Sequence, residues 1–193
     1  PWGRSLDEYR RMFALSQADL QQSIIDCAAG PASFNAEMTA LGHSVLSCDP
    51  IYKFSPTELH QRIQDTKTMI LEGVKASLDS YQWTTFDSPE HLCKARLSTM
   101  QLFLEDFPKG IKDGRYRTAY LPELPAQSHQ FNLALCSHCL FSYSEHLSLD
   151  FHWDSIQEML RVAKEVRIFP LLTLSGKVSP FVEPIIHQAK AKN

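Results

Sequence analysis

The stretch Ile24-Ile25-Asp26-Cys27-Ala28-Ala29-Gly30-Pro31-Ala32-Ser33-Phe34 decides the fold. An apolar strand ends at an acid, small residues turn the chain and a helix follows, which sets free backbone N–H groups and a positive helix end beside the turn. The next apolar run, Ser44 to Cys48, ends at Asp49, 23 residues after Asp26. Dinucleotide folds place a ribose-binding acid roughly 20 residues beyond the glycine turn. Two acids and a small-residue turn can grip an adenosine-like ligand.

Upstream of this stretch, Ser5-Leu6-Asp7-Glu8 has capping-box spacing, and Leu6, Tyr9, Arg10 and Phe13 recur at helical intervals. They predict a helix over Leu6 to Leu15, within an N-terminal helical segment spanning residues 1–20. Downstream, Ser33 to Leu41 should be helical and stop at Gly42, the left-handed residue that commonly ends a helix.

From Ser55 the pattern is helical through Leu59, Ile63, Thr66, Ile70 and Val74, and again from His91 to Phe107 through Leu92, Leu97, Met100, Phe103 and Leu104. A crossover needs only about 10 to 12 residues, so residues 53–115 read as a helical insertion, closed as a loop by Gly110, Asp113 and Gly114. Tyr116 to Leu121 is a third strand, and Phe131 to Cys136 a fourth that is apolar on both faces, as buried parallel strands are. Asp154 and Gln157 have N-cap and N3 spacing before the stripe Ile156, Met159, Leu160 and Ala163. Val166 to Thr173 reads as another buried strand and Ser179 to Lys192 as a last helix. Strands alternating with helices predict one α/β domain over residues 1–193, a doubly wound and mostly parallel Rossmann-like sheet.

Composition narrows the function classes. A chain of 193 residues with 44% hydrophobic and 21% charged residues can bury a sizeable core. A net charge of −3 and no Lys or Arg run longer than a pair argue against a dedicated nucleic-acid binder. Five cysteines are an odd number for a disulfide framework, and Cys27, Cys48 and Cys136 sit in apolar runs, which predicts a reduced, cytoplasmic protein. No apolar stretch nears the roughly 18 residues of a membrane span, so no membrane partner is expected.

With these elements in order, the residues resemble the class I S-adenosylmethionine-dependent methyltransferases from about Ile24 to Thr173. The family's first strand and turn read apolar-apolar-acid-x-Gly-x-Gly-x-Gly, and here the three glycine places hold Ala28, Gly30 and Ala32. Leu124-Pro125 followed by Phe131-Asn132-Leu133-Ala134-Leu135 is similar to the family's Leu-Pro and Phe-Asp-Leu-Val-Leu segment, with Asn132 in place of Asp. Arg161-Val162-Ala163 resembles its Arg-Val-Leu. No counterpart of the family's final antiparallel strand pair is expected before Asn193, so either the chain is truncated or the fold is incomplete, and an incomplete sheet would leave an edge in need of covering.

The resemblance implies S-adenosyl-L-methionine as cofactor. Asp26 and the backbone of Ala28, Ala29 and Gly30 would face its methionine half, and Asp49 would accept hydrogen bonds from the ribose hydroxyls. Pro50 and Ile51 would line the adenine, with the neighbouring Tyr52 as a further candidate, Tyr120 and Leu121 close to it, and Ser137 and His138 at the end of the fourth strand. His138 and Tyr143 are the catalytic candidates, because acceptor-facing residues follow that strand in the family.

Each reading has a plainer competitor. His138 can be a packing histidine, Asp26 a turn acid and Asp49-Pro50 a turn starter. The run containing His138, His146, Asp150 and His152 lacks the spacing of a zinc frame, so no metal is assigned. Cys136-Ser137-His138-Cys139 has redox-motif spacing, but it leaves a buried strand instead of opening a helix. Trp83, Phe86, Phe103 and Tyr116 are acceptor-pocket candidates or core, and Arg4 and Arg115 are anion ligands or solvated side chains. The expected function is methyl transfer to a small-molecule acceptor. The alternatives are a non-catalytic cofactor-binding or interaction protein, and a nicotinamide-dependent oxidoreductase, against which the Leu124-Pro125 to Leu135 segment argues. Oligomeric state is not written in the sequence.

Overall fold

The computed structural model describes residues 2–76 and 87–191. Its strands are β1 (Ile24–Cys27), β2 (Val45–Cys48), β3 (Tyr116–Arg117), β4 (Phe131–Ser137) and β5 (Ala163–Phe169). Among the described residues they form one sheet in the order β3-β2-β1-β4-β5, and every neighbouring pair is parallel. The chain is therefore α/β with a doubly wound, Rossmann-like sheet. Among the described residues no antiparallel strand pair continues the sheet beyond β5.

Seven helices flank the strands among the described residues: α1 (Leu6–Met12), α2 (Gln17–Leu20), α3 (Phe34–Ala40), α4 (Pro56–Ala76), α5 (Pro89–Lys112), α6 (Leu149–Val162) and α7 (Val182–Ala191). Local chemistry sets their ends. Ser5 and Glu8 make the capping box of α1, and Gly42, at φ 80°, ends α3 with its N–H on the Thr39 carbonyl at 3.0 Å. Helices α4 and α5 fill the interval between β2 and β3, where an insertion is expected.

Period-two alternation sends the side chains of one strand to two cores. Ile24, Leu133 and Leu135 pack with Tyr9, Phe13, Phe34 and Met38 beneath α1 and α3. Ile25, Cys27, Ala134 and Cys136 pack on the opposite face with Met159 and Val162 of α6 and Ile185 of α7. A third cluster joins Tyr52, Phe103, Phe107 and Tyr116 where α5 meets β3. Phe103 and Tyr116 are thus core residues, while Trp83 and Phe86 lie outside the described residues.

Several boundaries differ from expectation. Gly110 belongs to α5, which runs through Pro108 to Lys112, and the turn comes only at Asp113 and Gly114. The third strand stops at Arg117, and Tyr120 instead makes an isolated bridge to Glu123 around a cis Leu121–Pro122 bond. Helix α6 starts at the N-cap Ser148, whose hydroxyl accepts the Phe151 N–H at 3.1 Å, so Asp154 is an interior residue. The last strand covers Ala163–Phe169 and is largely accessible, with Lys164 and Glu165 exposed. It is an edge, and Pro170 lacks the N–H needed to extend it.

Candidate functional site

Parallel pairing of β1 with β4 sets Cys27 opposite Cys136, so Ala28 leaves the sheet beside Ser137, the last residue of β4. This is the point where strand order reverses, and the crevice outside the carboxyl ends of the strands is where open α/β sheets bind ligands. Three residues here are left-handed: Ala28 at φ 55°, Gly30 at φ 59° and His138 at φ 50°. Glycine adopts this conformation freely, whereas the methyl of Ala28 makes it cost about 1 to 2 kcal/mol. Backbone strain concentrated in one place points to a site.

The turn N–H groups expected to be free have partners. The Ala29 N–H donates to the Cys48 carbonyl at 3.2 Å and the Gly30 N–H to Asp49 Oδ2 at 2.8 Å. Tyr52 donates its phenol to the Gly30 carbonyl at 2.8 Å, and the Ser33 N–H donates to the Arg4 carbonyl at 3.2 Å. The end of β2 and an N-terminal strap supply these contacts, and neither shows in the reading of the turn alone.

Asp26 is fully buried beneath the turn. Tyr9 of α1 donates its hydroxyl to both carboxylate oxygens at 3.2 and 3.0 Å, and the Tyr9 ring stacks on Phe34 at 4.2 Å. Burial raises the Asp26 pKa well above the usual carboxylate value, the phenol opposes the rise, and the neighbouring Asp49 adds to it. Asp49 is 7% exposed, and its Oδ1 accepts the Ile51 N–H at 2.9 Å. That bond caps the single-turn helix Pro50–Lys53. Burial pushes the Asp49 pKa up as well, against these two backbone hydrogen bonds. Each Asp49 oxygen accepts one N–H, and a carboxylate has about four acceptor positions.

At the end of β4, Ser137 Oγ is 2.7 Å from His138 Nδ1, and Arg4 Nη2 is 3.2 Å from His138 Nε2. A guanidinium can only donate, so Nε2 is the acceptor and the ring proton sits on Nδ1, donated to Ser137. Burial first, then the neighbouring Arg4 and Arg96, lower the His138 pKa to about 3, with Glu8 opposing them. In this arrangement the imidazole is neutral and its lone pair is engaged, so work as a base would first require Arg4 to move away.

The remaining candidates are spread out. Pro50 and Ile51 adjoin Asp49 in the capped turn, and Leu121 packs with Cys27 and Cys48 in the core. Tyr120 is 64% exposed beyond β3. Tyr143, at the end of the single-turn helix Phe141–Tyr143, is 39% exposed, and among the described residues neither a hydrogen bond nor a ring contact joins it to His138. Arg115 is not solvated: it grips Asp106 through two bonds of 2.7 Å and reaches Asn35 Oδ1 at 2.7 Å. Sequence reasoning missed Tyr9, Glu8 and Arg96, and it offered Tyr52 only for the adenine, without its bond to the Gly30 carbonyl. The local signals were the Arg4-to-Glu8 spacing of four and the Ser5–Glu8 capping box beside it.

All five cysteines are unbridged. Among the described residues no group of three or more His, Cys, Asp or Glu side chains could hold a metal ion, and no helix is long and apolar enough to cross a membrane.

No protein-family model matches the chain. A structural comparison pairs it with a candidate S-adenosyl-L-methionine-dependent methyltransferase of Methanococcus maripaludis at 12% identity and a TM-score of 0.39, over 97% of this chain. The chain spans 62% of that protein's length. By sequence it is 32% identical over 191 residues to the uncharacterized protein MJ0045 of Methanocaldococcus jannaschii, covering 98% of this chain and 86% of the relative. Likeness of that extent, over nearly the whole chain, shows that this protein belongs to the family of MJ0045.

Proposed function

We propose that this protein binds S-adenosyl-L-methionine over the Ala28–Gly30 turn and directs methyl transfer to a small-molecule acceptor. The observation that carries the reading is Asp49. It closes the end of β2 against the turn through the Gly30 N–H, and each oxygen keeps a lone pair for one hydroxyl of a ribose diol. Asp26 and Ser137 flank the strand-order reversal, in keeping with the family resemblance of the Ile24 to Phe34 stretch.

The cofactor would supply an electrophilic methyl on a sulfonium, which leaves as the acceptor attacks in line. The work left to the protein is alignment and exclusion of water, and positioning of this kind is worth roughly 7 to 11 kcal/mol. Asp49 would orient the ribose and the left-handed turn would let the backbone approach closely. Ile51 and Tyr120 would flank the adenine.

Calorimetry with S-adenosylhomocysteine tests the reading. Asp49→Asn keeps the side-chain shape and removes the charge, and should weaken binding by about 10- to 100-fold. Unchanged affinity, or tighter binding of NAD than of S-adenosylhomocysteine, would overturn it. A second reading, cofactor binding without turnover, is favoured by the lone pair of His138 being held by Arg4. Binding with no methyl product from a metabolite panel, scored by mass spectrometry, would establish that reading instead.

A further inference from the structure

The run Cys136-Ser137-His138-Cys139 leaves β4 at the ligand crevice with two thiols that the cofactor reading does not use. Of the five unbridged cysteines four are buried, and Cys139 is partly exposed. His138, at φ 50°, turns the chain back on itself, and its N–H donates to the Phe169 carbonyl at 2.7 Å. The Leu140 N–H then donates to the Cys136 sulfur, and the Cys136 thiol donates to the sulfur of Cys139. The Cys-x-x-Cys spacing is therefore closed in space as well as along the chain.

The two sulfurs differ in kind. The hydrogen bond from Cys136 draws the Cys139 thiol below its ordinary pKa, against its burial and the charge of Asp49. The same bond, with complete burial, pushes Cys136 up. A reachable sulfur with thiolate character beside a protected thiol is the arrangement of an attacked and a resolving cysteine. Cys27 and Cys48 are paired in register across β1 and β2 in the same core, but both are buried and burial lifts their thiols. An oxidant arriving from solvent meets Cys139 first.

We propose that Cys136 and Cys139 are a reversible oxidation site, in which a peroxide oxidises Cys139 and the buried thiol of Cys136 then closes a disulfide around His138. The Cys139 thiolate attacks a peroxide oxygen, so that an S–O bond forms as the O–O bond breaks. The departing hydroxide takes the proton that Cys139 gave up and becomes water. The Cys136 sulfur next attacks the sulfenic sulfur, an S–S bond replaces the S–O bond, and hydroxide leaves with the Cys136 proton as a second water. The thiols lose two electrons and the peroxide gains them, and a dithiol reductant reverses the change. This site stands apart from the methyl-transfer reading. Its reach is to the crevice, because the closed ring holds Ser137 and His138 between linked ends, within electrostatic range of Asp49.

The test treats the wild-type protein with hydrogen peroxide, alkylates the remaining thiols with N-ethylmaleimide in denaturant, and maps them by mass spectrometry. The expected result is five alkylated cysteines before oxidation, two fewer after it, an internal bond between Cys136 and Cys139, and recovery of all sites with dithiothreitol. Five free thiols after peroxide, sulfinic acid on Cys139 with no disulfide, or a bond from Cys139 to Cys27 or to a second chain would overturn the proposal. None of these outcomes depends on a variant folding. In Cys136→Ser the reaction should stop at a sulfenic acid on Cys139 that dimedone captures, and in Cys139→Ser the other thiols should stay reduced. Equal peroxide consumption by Cys139→Ser and the wild type would overturn the order of attack. In 15N-labelled protein the His138 ring signals, identified by their loss in His138→Asn, should move on oxidation and return on reduction. Signals that stay in place while the disulfide is mapped would overturn its reach to the crevice.

Discussion

Acidification should destabilise this fold through His138 by an amount the structure lets one calculate. The ring's pKa falls from 6.5 to about 3 on folding, because burial and then the two arginines disfavour the imidazolium. The folded pKa of this base is depressed, so above pH 6.5 both states are neutral and nothing changes. Below that the unfolded chain gains a proton that the folded one refuses. Stability is then lost by about 1.4 kcal/mol per pH unit until the folded pKa is reached. Between pH 6.5 and 4.5 the loss comes to about 2 to 3 kcal/mol. Asp26 and Asp49 work the other way, since their raised pKa values let the folded state bind protons sooner, while Glu8, lowered by Arg96 and Ser5 against its burial, adds to the acid loss. A single profile therefore mixes signs, and a difference between two proteins is needed. His138→Asn removes the titrating ring and keeps a residue type that tolerates left-handed backbone. Urea denaturation of both proteins at pH 7.5 and 4.5 should show the wild type losing about 2 to 3 kcal/mol more than the variant. A gap independent of pH would refute the burial argument.

Ala28→Gly should raise stability by up to about 1 kcal/mol, because φ 55° strains alanine more than the added chain entropy of glycine costs; a loss in urea midpoint would contradict this. Gly110→Ala should cost about 1 to 3 kcal/mol in the same assay, because the new methyl would run into the Tyr116 ring. Tyr9→Phe keeps the stack on Phe34 and removes the donor to both Asp26 oxygens, so stability should fall by about 1 to 3 kcal/mol, and an unchanged midpoint would show that the phenol matters little.

The central sheet was readable because its strands are local patterns. Ile24 to Cys27, Val45 to Cys48 and Phe131 to Ser137 are short apolar runs bounded by turn residues, and their alternation with helices implies parallel order. The peripheral strands were harder. Tyr116 to Leu121 has the composition of a strand, but pairing with β2 lasts only for Tyr116 and Arg117 before the chain turns at cis-Pro122. The start of α6 was misplaced because Asp154 and Gln157 imitate a cap, while Ser148 carries no such box. At the site, Asp26, Gly30 and Asp49 follow from spacing along the chain. Tyr9, Tyr52 and Arg96 do not, since their partners lie 17, 22 and 88 positions away and the pairings exist only after folding. His138 was singled out for its place after the fourth strand, but the arginine covering it could not be read from that place.

The β1–β4 pairing also bears on how the molecule is made. Ile24 meets Leu133 and Cys27 meets Cys136, so the central strand gains one of its two neighbours only when the chain has grown by more than a hundred residues. Translation at about 5 to 20 residues per second leaves a delay on the order of 5 to 20 s. During that interval Ile24 and Ile25 have β2 on one edge and an open hydrogen-bonding edge on the other. The helical insertion adds to the wait, although by loop entropy each doubling of the connection costs only about 0.6 kcal/mol. For a nascent chain the hazard is thus one of time more than of free energy, and a ribosome-bound chaperone that shields apolar strands would find its substrate in the emerging N-terminal half.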